Sequence, residues 1–399
     1  MKKLFLLIFA MFSINVANSQ NWIIQNSGTF NDLWSVCFSD SITGYAVGSG
    51  GIILKTINGG ADWISQTPTT QDLYSVYFIP AKPNTGYAVG GNETILQTTN
   101  GGTTWSVKHS GTSTVLYSVY FPDTATGIAV GGSGTILRTT DGGATWSTQV
   151  SGTSDWFLSV FFTDKNTGYA AGGGPWNSTI EKTMNGGNTW TVQNSGAGYN
   201  LNSIHFADEN TGLTVGVAGT ILKTTNGGSS WISQTSVYNT PLNSVFMIDV
   251  NRAYIVANNG MIEATFNGGS TWTSQNSGVG ATLNSVFFTD QFTGYVVGSL
   301  GAILKTINGG GVGINKNEST LNILKFYPSP ANNNITVETS AFTGISSLAI
   351  VNVYGQELME HQLTDQKTQI DISSLSPGVY FIRLTNGVTV EVGTLIKGE

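Results

Sequence analysis

One pattern recurs seven times between residues 22 and 310, and it leaves few folds open to the chain. Each copy begins with a short apolar run. The first is Leu33-Trp34-Ser35-Val36-Cys37-Phe38, and later copies start at Leu73, Leu116, Phe157, Leu201, Leu242 and Leu283. A second run follows, typified by Thr43-Gly44-Tyr45-Ala46-Val47-Gly48. A third, Ile52-Ile53-Leu54-Lys55-Thr56, enters the turn Ile57-Asn58-Gly59-Gly60, and a Trp soon after opens a fourth. The turn residues Asn58, Asn100, Asp141, Asn185, Asn226, Asn267 and Asn308 are spaced 42, 41, 44, 41, 41 and 41 apart. A fixed period of this size marks units that bury their apolar surface only against one another.

Four short β-type runs per repeat, punctuated by glycine, make one blade of a β-propeller. No stretch carries the 3.6-residue period of a helix. The first run is apolar at odd and even positions, as in a strand buried on both faces. The seventh repeat lacks its fourth run after Asn308-Gly309-Gly310. The missing piece stands near the N-terminus, where Asn21-Trp22-Ile23-Ile24-Gln25-Asn26-Ser27-Gly28 matches Thr271-Trp272-Thr273-Ser274-Gln275-Asn276-Ser277-Gly278. The expected fold is therefore all-β: a seven-bladed β-propeller over residues 20–311, closed by the N-terminal strand. Closure removes the open edge that a linear stack would leave.

Charge and the chain ends narrow the setting. Only 10% of residues are charged, against about 25% in ordinary proteins. The net charge is −7 and no basic run exists beyond Lys2-Lys3, so nucleic acid is not expected as a partner. Residues 1–19 read as a signal peptide, with Lys2-Lys3 before an apolar stretch from Leu4 to Val16 and cleavage between Ser19 and Gln20. No later run approaches the roughly 20 apolar residues of a membrane-spanning helix. Cys37 is the single cysteine, which precludes an intrachain disulfide, and it shares a slot with Tyr77, Tyr120, Phe161, Phe246 and Phe287. It is read as a small buried hydrophobe.

The turn Thr98-Thr99-Asn100-Gly101-Gly102-Thr103-Thr104-Trp105 has a physical logic. The Asn side chain accepts backbone N–H bonds, the glycines permit positive φ, and the Trp folds over the hairpin. It resembles the Asp-box (BNR) repeat of sialidases and related propellers, although only Asp141 keeps the Asp. Thr-Gly-Tyr-Ala-Val-Gly, then Thr-Ile-Leu-Lys-Thr-Thr-Asn-Gly-Gly, then Thr-Trp, together resemble the photosystem II assembly and stability factor family over about residues 20–311. That resemblance implies a protein-binding propeller without enzymatic activity. Its photosynthetic members bind a reaction-centre subunit through an Arg-rich patch, which two propeller arginines, Arg138 and Arg252, do not match.

Enzymatic readings find little support in the residue types. A sialidase resemblance implies three arginines. A glycoside hydrolase needs two carboxylates about 5–10 Å apart. Asp40, Asp123, Asp164, Asp208, Asp249 and Asp290 share one turn position, and Asp32, Asp62, Asp72, Glu93, Asp155, Glu181, Glu209 and Glu263 form no recognisable pair. No catalytic residue, metal ligand set or cofactor is assigned, and His205 is read as a core residue in the Cys37 slot. The basic positions Lys55, Arg138, Lys182, Lys223 and Lys305 are read as solvated strand-end charges. Candidate ligand-binding residues lie instead in the loops opposite the Asp-box turns: Trp34, Tyr74, Tyr117, Trp156, Trp176, Tyr199 and Tyr238. Packing between blades is the alternative for Trp34, Tyr74 and Tyr117. Later copies of that slot hold Leu158, Asn202, Asn243 and Asn284, so the face is expected to be half aromatic and half amide.

A polar linker over residues 312–325 precedes several further β-type runs, expected to form a small immunoglobulin-like β-sandwich over residues 326–399. Tyr327-Pro328-Ser329-Pro330-Ala331-Asn332, Val353-Tyr354-Gly355-Gln356 and Leu375-Ser376-Pro377-Gly378-Val379-Tyr380 resemble the C-terminal sorting domain of the type IX secretion system. The resemblance implies passage through the periplasm and across the outer membrane, with the secretion machinery as partner, and nothing about the cargo's activity; from the propeller, a protein or glycan ligand on one face is expected. A polysaccharide hydrolase and a structural adhesion protein are the alternatives.

Overall fold

The computed structural model describes residues 22–310, 324–339, 346–352, 356–385 and 390–398. The signal-peptide assignment with Ser19 and Gln20, and most of the linker, lie outside the described residues. Seven four-stranded antiparallel sheets occupy residues 23–306. The first orders Leu33–Phe38, Gly44–Gly48, Ile53–Thr56 and Ile64–Gln66 from inner to outer strand. The innermost strands pack one against the next, and the last of them, Leu283–Phe288, packs against the first, Leu33–Phe38.

The ring closes by two devices. Ile23–Gln25 pairs antiparallel with Ile303–Thr306, so the N-terminal segment forms the outer strand of the seventh sheet. Trp22 is fully buried there, edge-on to Tyr254 and Phe288, and its indole N–H donates to Gln275 Oε1 at 2.8 Å. The second device is a continuous circuit of serines. Ser35, Ser75, Ser118, Ser159, Ser203, Ser244 and Ser285 each accept the backbone N–H of a residue in the next inner strand, at 3.2–3.3 Å. The circuit ends where it began, with Val36 N–H donating to Ser285.

Each sheet is held internally by its Trp and its turn. Trp63 stands edge-on to Phe38, and Trp105, Trp146, Trp190 and Trp231 repeat this on Phe78, Phe121, Phe162 and Phe206. The Phe ring needs the glycine beside it, since a Cβ at Gly44 would lie 2.4 Å from Phe38. In the turn, Asn58 Oδ1 accepts the Asp62 N–H and the Thr56 hydroxyl, both at 3.0 Å. Asp141 does the same for Thr145 and Thr139, and these donors hold its carboxyl down at about 2.

The strand-end cations are not solvated, which corrects the expectation from sequence. Lys55, Arg138, Lys182, Lys223 and Lys305 reach across to the next sheet and donate to the carbonyls of Gly101, Gly186, Gly227, Gly268 and Gly59 at 2.6–2.7 Å. Tyr45, Tyr169 and Tyr295 donate to three of the same carbonyls. Gln97 and Tyr87 together serve Gly142. Where Ala264 offers no donor, Tyr254 and Gln275 serve Gly309. The glycine turn of each Asp box is thus the acceptor that its neighbour grips.

Cys37 and His205 lie in the interior as read from sequence. Cys37 is buried. His205 stands between Phe161 and Phe246 and accepts the Met247 N–H through Nδ1 at 3.3 Å; burial lowers its pKa to about 3, so it is neutral. Glu181 and Glu263 are the anomalies. Both are fully buried in the slot that holds Leu54, Leu96, Leu137, Leu222 and Leu304 elsewhere. Ser236 donates to Glu263 at 2.9 Å, whereas neither Glu181 oxygen has a protein partner.

The C-terminal segment forms a three-stranded sheet, with Asn334–Thr339 central, and a four-stranded sheet in which Ser346–Asn352 and Gly378–Thr385 are the inner strands. Ile335 and Val337 of the first share one buried cluster with Leu348, Ile350, Ile382 and Leu395 of the second. No helix among the described residues is long and apolar enough to cross a membrane.

Two stability predictions follow from these contacts. Trp22→Ala should cost about 3–5 kcal/mol, the usual cost of emptying a buried Trp site, and deleting residues 20–28 should cost more. Urea unfolding curves that overlay the wild type would refute the closure role. For Glu181, burial raises the carboxyl from an ordinary 4.5 to about 7. The folded chain then binds the extra proton, so stability falls as pH rises from about 4.5 to about 7 and levels off above. Glu181→Leu should therefore flatten that slope and add on the order of 1–3 kcal/mol at pH 8; an unchanged slope between pH 5 and pH 8 would show that Glu181 is not its source.

Candidate functional site

The antiparallel topology places two kinds of loop at each end of the ring. Asp-box turns and the Asp40-type turns share one end, where Gly59 N–H donates to Ile42 O. The loops entering each inner strand, and those linking the second strand to the third, share the other. The six Asp40-type carboxylates are turn caps, each accepting two backbone N–H groups, as Asp40 does from Ile42 and Thr43 at 2.8 and 2.7 Å.

At the opposite end every inner strand carries a β-bulge in the same place. Register shifts between Leu33 and Ser35, and again between Leu73 and Ser75, Leu116 and Ser118, and at the four later copies. Bulges re-aim a side chain, and the bulged positions are those of Trp34, Tyr74, Tyr117, Leu158, Asn202, Asn243 and Asn284. Three of the aromatics and Trp156 form one arc across four consecutive sheets. Ring centroids are 6.0 Å apart for Trp34 and Tyr74, 5.4 Å for Tyr74 and Tyr117, and 6.0 Å for Tyr117 and Trp156. Trp34, Tyr74 and Tyr117 are half-buried, and Trp156 is exposed. Burial raises the Tyr74 and Tyr117 phenols, so both stay protonated at neutral pH.

In the amide half of the ring the side chains, half-buried like the three aromatics, bond the next sheet. Asn202, Asn243 and Asn284 donate to the carbonyls of Leu242, Leu283 and Leu33 in the next sheet at 2.8–2.9 Å. They take over the inter-sheet contact that adjoining rings make in the other half, where successive planes are turned by 54°, 51° and 26°.

Trp176 occupies a different setting. The hairpin of Gly168–Gly174 and Asn177–Thr183 is longer than its six counterparts, and Trp176 lies in its turn, 83% exposed. Asp155 pins the hairpin by accepting Asn177 Nδ2 at 2.8 Å and the Thr179 hydroxyl. Trp156 pairs with Gly173 beside the hairpin's turn, so the two tryptophans belong to one structure. Tyr199 and Tyr238 make no ring contact with the arc. Tyr199 is exposed on its entry loop, while Tyr238 donates to Ser274 at 2.6 Å beside a shallow depression of about 430 Å³ also lined by Asn259, Met261, Asn276 and Val279.

The acids outside the repeat pattern have local work. Asp32 and Asp72 accept the backbone N–H of Leu300 and Gly50 on the preceding sheet at 2.9 and 2.8 Å. Asp62 takes an Asn58 amide proton, Glu93 the Ser110 hydroxyl, and Glu209 an Asn210 amide proton. Among the described residues no group of three His, Cys, Asp or Glu side chains could hold a metal ion. Sequence reasoning missed the serine circuit and the hairpin pin. The serine was visible as a fixed third residue of each inner run; Asp155 had no repeating counterpart to mark it.

Comparison with known proteins bears on both parts of the chain. No curated protein matches it. Residues 325–398 match the secretion system C-terminal sorting domain. A solved structure of YCF48 bound to D1 peptide is similar at a TM-score of 0.62 and 19% identity, covering 73% of this chain and 96% of that one. YCF48 from Cyanidioschyzon merolae is similar at 0.60 and 21%, covering 71% and 98%. PorZ, a surface component of the type-IX secretion system of Porphyromonas gingivalis, is similar at 0.61 and 13%, covering 92% of this chain and 60% of its own. At such identities the likeness is one of fold. Residues 14–108 and 147–285, well over half of the sequence, match the photosynthesis system II assembly factor YCF48 family, and the chain belongs to that family.

Proposed function

We propose that this chain is a surface or released binding protein, without catalytic activity, whose ligand docks on the propeller end opposite the Asp boxes. The observation that carries the reading is Trp176: a tryptophan 83% exposed at the turn of a hairpin that Asp155 holds in place. Leaving so large an apolar surface in water has no stabilising return. A rigid, solvent-facing aromatic is the type of residue that dominates binding energy at recognition surfaces. The arc Trp34–Tyr74–Tyr117–Trp156 ends beside that turn, where Trp156 pairs with Gly173.

Two further points support a binding role over an enzymatic one. The carboxylates of that end are engaged in bracing loops, as at Asp32, Asp72 and Asp155, and not held as a free pair across a cleft. The two unusual acids, Glu181 and Glu263, are sealed inside the sheets. The sorting domain supports delivery to the outside of the cell. The D1 peptide named with one YCF48 structure makes a peptide one class of ligand to test.

Trp176→Ala should leave the unfolding midpoint within about 0.5 kcal/mol of wild type, as for an ordinary surface site. It should also abolish retention of ligand from a panel of polysaccharides and peptides. A large loss of stability would instead mean that Trp176 packs. In a bacterium with a type IX system, the chain lacking residues 325–398 should accumulate in the periplasm; unchanged surface delivery would overturn the sorting role.

A further inference from the structure

We infer that the aromatic end of the propeller takes an uncharged glycan chain, laid along the arc from Trp34 to Trp156 and against Trp176. The inference rests on the binding role proposed above and adds the chemistry of the ligand.

Charge is the first argument. Of the basic side chains on the propeller, Lys55, Lys82, Arg138, Lys165, Lys182, Lys223, Arg252 and Lys305 all lie in turns or strand ends on the Asp-box side. Five of these are bonded to glycine carbonyls, and Arg252 is paired with Asp249 at 2.6 Å. Toward the aromatic end there is only Lys108 with His109, on the outer strand Ser106–His109. A sulfated, phosphorylated or uronic acid polymer would find no cation along the arc. Asp32, Asp72 and Asp155, the acids beside the arc, each brace a neighbouring loop through one carboxylate oxygen.

Shape is the second. The four rings step from sheet to sheet at 6.0, 5.4 and 6.0 Å, a repeat commensurate with successive sugar rings in an extended chain. A pyranose presents a C–H face that packs on an aromatic ring, while its hydroxyls point sideways and need polar partners at the edges. Beside these carboxylates the loops bordering the arc carry neutral amides and hydroxyls, which have more donor and acceptor sites than the single bonds named next use. Asn31 donates to Ser49 O, Asn92 to Gln71 Oε1, and Thr114 shares a hydrogen bond with Thr135. Beyond Trp34 the platform continues toward Phe30 and Leu300, exposed by 86% and 70%, whose loops touch where Gly301 meets Thr29. Protein-binding hot spots are enriched in Arg as well as in Trp and Tyr, and the arc carries the aromatics with no Arg beside them.

The full mature chain tests this by affinity electrophoresis in gels containing xyloglucan, laminarin or yeast mannan as neutral probes, and alginate or heparin as charged ones, beside a cellulose-bound peptide array. The expected result is retardation by at least one neutral polysaccharide, unchanged between low and high salt. Trp176→Ala and Trp156→Ala should each weaken that binding about tenfold or more, equivalent to about 1.4 kcal/mol, with the unfolding midpoint of Trp176→Ala unmoved. Binding confined to alginate, to heparin or to peptides, and lost in Trp176→Ala, would overturn the glycan assignment and leave the binding face standing. Failure of every probe class to bind would remove both.

Discussion

A sheet of four short strands has two apolar faces and cannot bury either by itself, so every sheet in this molecule depends on having a neighbour on both sides. That requirement is met only when the ring closes. Two seams carry it. Near the inner strands, seven serines each accept an N–H from the following sheet. Farther out, the glycine carbonyl of each Asp box is gripped by Lys, Arg, Gln or Tyr of the sheet before it. Both seams pass through the joint between the seventh and first sheets, where Lys305 and Tyr295 reach Gly59 and Ser285 accepts Val36 N–H. The N-terminal strand is what makes the seventh sheet complete enough to serve as a neighbour.

The seams divide the molecule's two ends into different jobs. On the Asp-box side the turn residue, its glycines and the clamping cation must all be kept, because each turn is a bonding partner for another sheet. At the opposite end backbone bonds between loops recur from sheet to sheet, as from Gly134 to Asp155 and from Gly219 to Thr240, but the side-chain contacts differ. Its loops vary in length, its bulged position holds Trp, Tyr, Leu or Asn, and one hairpin has grown by several residues around Gly173 and Trp176. Side chains vary there because a ring contact or an amide-to-carbonyl bond can each join one sheet to the next. The bases this chain keeps on its propeller are largely spent on assembly.

The sequence carried the architecture openly because the repeat is written seven times in phase. Trp22 could be placed in the seventh sheet from the match between residues 21–28 and 271–278 alone, and the structure pairs Ile24 with Leu304 accordingly. What could not be read was the destination of polar side chains. Lys55 at a strand end looks solvated until the carbonyl of Gly101, 46 positions along, is known to lie within reach. Asn243 looks like a recognition amide until Leu283 O is found beneath it. In both cases the partner belongs to the next sheet, and a linear pattern states which residue recurs but not which surface it faces. The arc was partly legible: Trp34, Tyr74 and Tyr117 share a slot, but the addition of Trp156 required the register of the bulge.

Glu181 and Glu263 show where the repeat yields to something other than packing. Five sheets place Leu in that slot, and a buried carboxyl there is costly unless it keeps its proton or finds a donor. Glu263 found Ser236, a residue of the preceding sheet's outer segment, so its cost is partly returned as another bond across a seam. Glu181 has no such donor, and its sheet is also the one that carries the elongated hairpin, Trp156 and Trp176. A sheet that departs from the repeat in its core and at its exposed end together is the one least governed by the demands of assembly.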